Sequence, residues 1–184
     1  MKLLLHICCG PCATGAVPWW QASAEEIVGF FYNPNIHPLL EYRRRLTGAC
    51  DVCDRVGIRL VADEWYDPAA WLASVVPVEG SRCVRCIGDR LERAAIEAVT
   101  QGCGAFSTSL SISPWQDHEA IREQGTLAAA RHGLDFVYAD LRELYPETRR
   151  LSREWGVYRQ KYCGCLLSEW ERYRDVRSIR SEFS

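Results

Sequence analysis

Short apolar runs alternate with longer amphipathic stretches along most of this chain, and that alternation restricts its fold more than anything else does. Lys2–Ile7 is an apolar run suited to a buried strand. A helix is expected over Cys12–Ala24, with Pro11 placed for its first turn. Glu26–Tyr32 (EIVGFFY) reads as a second strand closed by Asn33-Pro34, and Pro38–Arg55 as a helix with Leu39, Leu40, Tyr42 and Leu46 at helical spacings. Gly57 ends that helix. Ile58–Ala62 is a third strand, Asp67–Val76 a helix and Pro77–Ser81 a loop. Arg82–Thr100 has the clearest apolar stripe, through Ile87, Leu91, Ala94, Ala95, Ala98 and Val99, and Gly102 ends it. Ala105–Ile112 is a hydroxyl-rich fourth strand, Asp117–His132 a helix and Phe136–Ala139 a fifth strand. From Tyr145 the chain reads as helical and charged.

Strands separated by helices of this length predict an α/β fold: a Rossmann-like, mostly parallel sheet with helices on both faces, plus a helical C-terminal segment. At 184 residues, 48% of them hydrophobic, the chain has bulk for one sizeable core and reads as a single domain, 1–184. Ligands of such sheets sit beyond the carboxyl ends of the strands. That rule points at Cys8-Cys9, at Asn33-Pro34-Asn35 and at Ser111–Ser113.

Met1–Cys9 carries His6 and turns at Gly10-Pro11, so it reads as a strand rather than as a secretory signal. No stretch approaches the ~20 apolar residues of a membrane span. The expectation is a cytoplasmic protein with no membrane partner, where stable disulfides are rare. Its 10 cysteines therefore point to metal or redox chemistry rather than to cross-links.

Seven of the ten fall into three local clusters. Cys8, Cys9 and Cys12 lie in HICCGPC, at the end of the first strand and the start of the next helix, where the helix dipole is expected to lower the Cys12 pKa. Cys83 and Cys86 form CVRC on one helix face, and Cys163 and Cys165 form YCGC, with Gly164 allowing a sharp bend. One tetrahedral zinc or one cubane iron–sulfur cluster takes four ligands, so seven thiols suggest a cluster plus something more. Cys50 and Cys53 make a further CxxC among charged residues and Cys103 lies in the turn QGCGA; these three read as small packing hydrophobes. A zinc protein that binds nucleic acid without catalysis is an alternative, but Cys83 and Cys165 are far apart for a compact zinc ribbon. A thiol oxidoreductase using Cys50 and Cys53 is another, and no thioredoxin-like pattern surrounds them.

Read with their neighbours, the clusters lie in the strings HICCGPC, FFYNPNIHPLLEYRRR, RCVRC, FSTSLSISPWQDHEAI and GVYRQKYCGC, in that order. From about His6 to Glu171 the chain resembles the QueH-type epoxyqueuosine reductases. The resemblance implies the last step of queuosine synthesis on tRNA: the epoxide on the modified wobble guanine is reduced to the cyclopentene without cobalamin, and the oxygen leaves as water. It implies a 4Fe-4S cluster beside one additional mononuclear iron, and a sheet similar to the Rossmann-like fold of the adenine-nucleotide hydrolase superfamily. Cys8, Cys9, Cys83, Cys86, Cys163 and Cys165 match the family's metal-binding thiols. Cys12 matches a position where relatives carry Cys or Asp, which supports it as a ligand of the single iron; the division of the other six stays open. The chain departs from the family pattern at Ile87, where many relatives have Tyr, at Ser107 and Ser109 in a run richer in Thr, and at Trp115 in place of a common Tyr.

Opening an epoxide to an alkene takes two electrons and at least one proton. Tyr158, Tyr162 and His37 are the candidate proton donors, and Asn33, Asn35, Ser111, Arg159 and Gln160 the candidate substrate contacts. The implied partners are the tRNA anticodon loop carrying epoxyqueuosine, with the target base extruded into the pocket, and an unidentified electron donor. A net charge of −2 does not advertise a nucleic-acid binder, yet the charge is uneven: from Arg142 onward ten basic and seven acidic residues give +3, leaving −5 for the rest. Arg43-Arg44-Arg45, Arg149-Arg150 and Arg153 are local basic spots. Arginine there would pair phosphate and stack on unpaired bases, although for any one of them a solvated helix face is the simpler reading.

Overall fold

The computed structural model describes residues 1–76 and 81–175. Among these residues five strands form one wholly parallel sheet: β1 (Lys2–His6), β2 (Glu26–Phe31), β3 (Arg59–Ala62), β4 (Ala105–Thr108) and β5 (Asp135–Phe136), in the spatial order β3-β2-β1-β4-β5. Among the described residues seven helices connect or follow them: α1 (Gly10–Gln21), α2 (Leu39–Val56), α3 (Pro68–Val75), α4 (Arg82–Thr100), α5 (His118–His132), α6 (Tyr145–Glu154) and α7 (Leu166–Tyr173). This is the expected α/β class. The expected loop at Pro77–Ser81 lies, for residues 77–80, outside the described residues.

The period of two along β1 divides the core. Leu3 and Leu5 face a layer built by α1 and α2, with Ala13, Ala16, Val17, Tyr42, Ala49 and Val52 buried against them. Leu4 faces the opposite layer, where Ile87, Leu91, Ala94 and Ala98 of α4 and Ile121, Ala128 and Ala129 of α5 are buried. α6 packs outside α1, on the first face. Among the described residues no helix is long and apolar enough to cross a membrane.

Three expectations need correction. The fourth strand stops at Thr108 and not at Ile112: the Thr108 hydroxyl accepts from the Leu110 amide at 3.1 Å, and Ser109–Ile112 winds into a 3-10 turn. The fifth strand is the pair Asp135–Phe136 rather than Phe136–Ala139, with one further bond from the Val137 amide to the Phe106 carbonyl. The C-terminal stretch is not continuously helical. α6 ends at Glu154, Gly156 takes φ +68, and residues 155–165 run as an irregular loop carrying YRQKYCGC before α7 begins. That break brings the last two cysteines back to the carboxyl edge of the sheet.

Candidate functional site

The strand order reverses between β1 and β4, because the connection after β1 runs towards β2 and the one into β4 arrives from the other side. A crevice opens at such a point beyond the strand ends. Here it is a cavity of about 730 Å³, and all seven clustered cysteines line it: Cys8, Cys9, Cys12, Cys83, Cys86, Cys163 and Cys165. Cys50, Cys53 and Cys103 do not. Cys53 and Cys103 are buried in the two opposite core layers. All ten cysteines are free thiols.

The end of β1 and the first turn of α1 hold Cys8, Cys9 and Cys12, whose sulfurs all lie within 4.8 Å of one another, a spacing able to close on a single metal ion. Cys9 is the N-cap of α1, and Pro11 sits in its first turn as its fixed φ favours. Ser109 braces Cys8 twice: its hydroxyl oxygen accepts from the Cys8 amide at 3.0 Å and its hydroxyl donates to the Cys8 sulfur at 3.3 Å. The Gln160 amide donates to the Cys9 sulfur at 3.0 Å. Cys83 and Cys86 sit on the first turns of α4. Cys165 is the N-cap of α7, its sulfur accepting from the Ser168 amide at 3.3 Å, and the Cys163 sulfur accepts from Gln116 at 3.5 Å.

Electrostatics correct one expectation about these thiols. The helix start does not lower Cys12. Hydrogen bonding with Cys8 and Cys9, and burial, hold the Cys12 thiol well above its ordinary value, while the Cys12 and Cys8 thiols, donating to Cys9, pull Cys9 well below its own. Crowded buried thiols cannot all ionise unless a positive charge joins them, so the three titrate together rather than singly. Burial pushes Cys86 up to about 11 and raises Cys83. A set of seven sulfur donors, three of them converging, fits a thiophilic metal or cluster by the softness of its ligands.

Two buried arginines complete the wall. Arg45 is 2% exposed, paired with Glu41 at 2.7 Å. Its guanidinium also donates to the carbonyls of Cys163 at 2.7 Å and Tyr162 at 3.2 Å. It is therefore not the solvent-facing phosphate contact expected of Arg43-Arg44-Arg45. Arg90 is 3% exposed and donates from Nε to the Cys86 carbonyl at 3.1 Å. Burial opposes its charge, and Cys86, Cys163 and Cys8 favour it. Burial and then Arg90 push His6 down to about 3, leaving it neutral between Thr108 and Tyr32.

The remaining candidates separate. Asn33, Asn35, Arg159, Gln160 and Tyr162 line the cavity; His37, Ser111 and Tyr158 do not. Ser111 donates to the Thr108 carbonyl, which closes the 3-10 turn. The Tyr158 hydroxyl donates to Glu41 at 2.6 Å and Tyr162 to the His37 carbonyl at 2.8 Å. His37 is buried against Trp71, ring centroids 5.0 Å apart. Asn33 ties β2 to β1 through the Ile7 carbonyl at 2.9 Å, and its Oδ1, Asn35 Oδ1 and Gln160 Oε1 are buried with no donor among the described residues. Residues not anticipated are Arg90, Gln116, Ser109 as a thiol brace, and Arg45 as a loop clamp. For Arg90 a signal existed: it falls one turn after Cys86, on the face of the CxxC thiols.

Fold and site together define a Rossmann-like α/β protein with a cysteine site able to hold a metal ion at its topological switch point. The family model for "Epoxyqueuosine reductase QueH" matches residues 3–171. The chain belongs to that family. It is 37% identical over 172 residues to the Epoxyqueuosine reductase QueH of Dehalococcoides mccartyi, covering 94% of each chain. It is 36% identical over 179 residues to that of Thermotoga maritima, covering 92% of this chain and 91% of the relative. Among solved structures, a "predicted subunit of tRNA methyltransferase" from Methanocaldococcus jannaschii matches at a TM-score of 0.50 and 12% identity, over 84% of this chain and 75% of that one, a likeness of fold alone.

Proposed function

We propose that this member of the family is an epoxyqueuosine reductase, an oxidoreductase that converts epoxyqueuosine in tRNA to queuosine in the cytoplasm, with residues 1–184 acting as one domain. The observation that carries this reading is the convergence of three distant cysteine clusters on one cavity. The reaction balances as epoxide plus two electrons and two protons giving alkene plus water, so the site needs an electron store, an electrophile for the oxygen and a proton source.

Four of the seven thiols would hold a 4Fe-4S cluster and three a single iron, with Cys12 among the latter. Bound there, such a pair would supply electrons singly and polarise the epoxide oxygen. The rest falls to the chain's own side chains. Asn33, Asn35 and Gln160 offer buried acceptor oxygens with no donor among the described residues, suited to the hydroxyl and N–H donors of a modified nucleoside. Of the three proton-donor candidates, Tyr162 is the one on the cavity wall; burial, and then Glu41, keep it protonated at neutral pH. Arg159 and Lys161 on the same loop supply positive charge to a tRNA phosphate. An external electron donor completes the cycle.

The test is anaerobic reconstitution with iron and sulfide, then incubation with epoxyqueuosine-containing tRNA and a chemical reductant, with nucleosides read after digestion. Conversion to queuosine with about five irons per chain is the expected result. A colourless protein retaining zinc alone, with no conversion, overturns the reading.

A further inference from the structure

Trp115 is 74% exposed, in the loop between the 3-10 turn after β4 and the start of α5. Exposure alone marks nothing, but an aromatic face open at the mouth of a cavity offers a surface on which another planar ring can stack. The ring is nonetheless held. The Trp115 amide donates to the Ser113 hydroxyl at 3.3 Å, Asp117 caps α5 through the Ala120 amide at 2.9 Å, and the ring meets Tyr145 edge to face at 5.0 Å. One turn further along α6, the Arg149 guanidinium lies 5.8 Å from the Tyr145 ring centre. Trp115, Tyr145 and Arg149 all line the thiol cavity, and Gln116, next to Trp115, reaches the Cys163 sulfur. Trp65 is 72% exposed but lies away from the cavity.

Charge on the same rim narrows the ligand. Arg149, Arg159 and Lys161 pair with no carboxylate among the described residues, whereas Arg150 beside them is bound to both Glu147 and Glu154. Free cations beside an open aromatic face suit a flexible polyanion bearing planar rings, the chemistry of single-stranded nucleic acid.

We propose that Trp115, braced by Tyr145, is a stacking platform for an unpaired base next to the one being reduced, with Arg149 contacting the phosphate between them. The proposal rests on the reading above that the substrate nucleoside arrives within tRNA. It assigns the platform to a neighbouring base because Trp115 stands exposed at the rim, while Cys9, Cys12, Cys86 and Cys165 are buried deeper in the same cavity.

The experiment measures dissociation constants of the reconstituted protein for an unmodified anticodon stem-loop RNA and for a fully paired RNA duplex. Trp115→Ala is expected to weaken stem-loop binding about ten-fold and to leave duplex binding unchanged; Trp115→Phe is expected to stay near wild type. Trp115→Leu keeps an apolar contact to Tyr145 but no π face, and is expected to lose as much as the alanine variant. Stem-loop binding by Trp115→Ala equal to wild type overturns the platform, as does retention by Trp115→Leu or equal losses on stem-loop and duplex. Wild-type conversion of epoxyqueuosine tRNA combined with Trp115-independent binding removes the platform alone. Trp115-dependent binding without conversion supports the platform and removes the reductase reading.

Discussion

Arg45 Nη1 donates to the carbonyl of Cys163 at 2.7 Å, so a helix on one face of the sheet fixes the loop that carries two of the seven thiols. The same guanidinium is bound through Nε to Glu41, and Glu41 in turn receives the Tyr158 hydroxyl. Arg45→Met removes the clamp and leaves Glu41 buried without its counter-charge, a loss of about 3–5 kcal/mol for a buried pair broken on one side. The variant is expected to melt at lower temperature and to hold less iron per chain after anaerobic reconstitution. Arg45→Lys, which keeps the charge but not the planar fork, is expected to recover part of the stability and less of the iron.

The parallel sheet was legible in the chain because its central strands are buried on both faces and read as unbroken apolar runs. The thiol clusters were legible because each is local in sequence. What could not be read is tertiary. In Arg43-Arg44-Arg45 three identical side chains leave one helix about 100° apart, and only packing against the loop at 162–163 turns the third inward with Glu41 one turn before it. Arg90 is hidden in the same way, on the border of an apolar stripe where an arginine normally reaches solvent. The fourth strand was overdrawn because β propensity cannot register that the Thr108 hydroxyl caps the next turn.

The division of the cysteines predicts opposite outcomes for two alanine variants. Cys163 lines the cavity and Cys103 lies in the core beneath α4, away from it. Cys163→Ala is expected to lose conversion of epoxyqueuosine tRNA under a chemical reductant. Cys103→Ala is expected to keep it, at a cost of about 1 kcal/mol in stability for the lost sulfur. Equal activities in the two would contradict the division.

Arg90 places a full positive charge, 3% exposed, beside Cys86 and towards Cys163 and Cys8. A reduced cluster carries one more negative charge than an oxidised one, so this arginine favours the reduced state. Arg90→Gln is expected to lower the midpoint potential of the reconstituted centre by an amount on the order of tens of millivolts. A redox titration followed by electron paramagnetic resonance measures it, and iron content checks that loading is unchanged.

Cys53 supplies a test in alkali. It is buried on the inner side of α2, and burial pushes its thiol up to about 12 from an ordinary 9.0. Between those values the unfolded chain has released the proton and the folded chain has kept it, so the unfolded state binds fewer protons and stability falls as pH rises. The contribution is complete below pH 9 and is lost towards 12. In urea unfolding, the stability advantage of wild type over Cys53→Ala is expected to shrink by up to about 1.4 kcal/mol per pH unit in that window and to be flat from pH 6 to 8. Cys53 should also resist iodoacetamide in the native protein at neutral pH, unlike the low-pKa thiol of a redox CxxC pair.

Gly10 stands between Cys9 and Cys12 for a steric reason. A Cβ built there would collide with the Gly48 carbonyl of α2 and lie 2.8 Å from the Val157 side chain. Neither a backbone carbonyl nor a packed valine yields cheaply, so Gly10→Ala must push the first turn of α1 away from α2 and from the loop at 155–165. That displacement separates Cys9 and Cys12 from the wall formed by Gln160 and Cys163. A destabilisation of about 1–3 kcal/mol is expected from the overpacking. Iron retention should fall further than in an equally destabilised core variant such as Cys103→Ala combined with Val52→Ala. Matched melting temperatures with matched iron contents would mean that the glycine serves the helix contact alone; matched melting temperatures with lower iron in Gly10→Ala would tie the close approach of α1 and α2 to the geometry of the thiols.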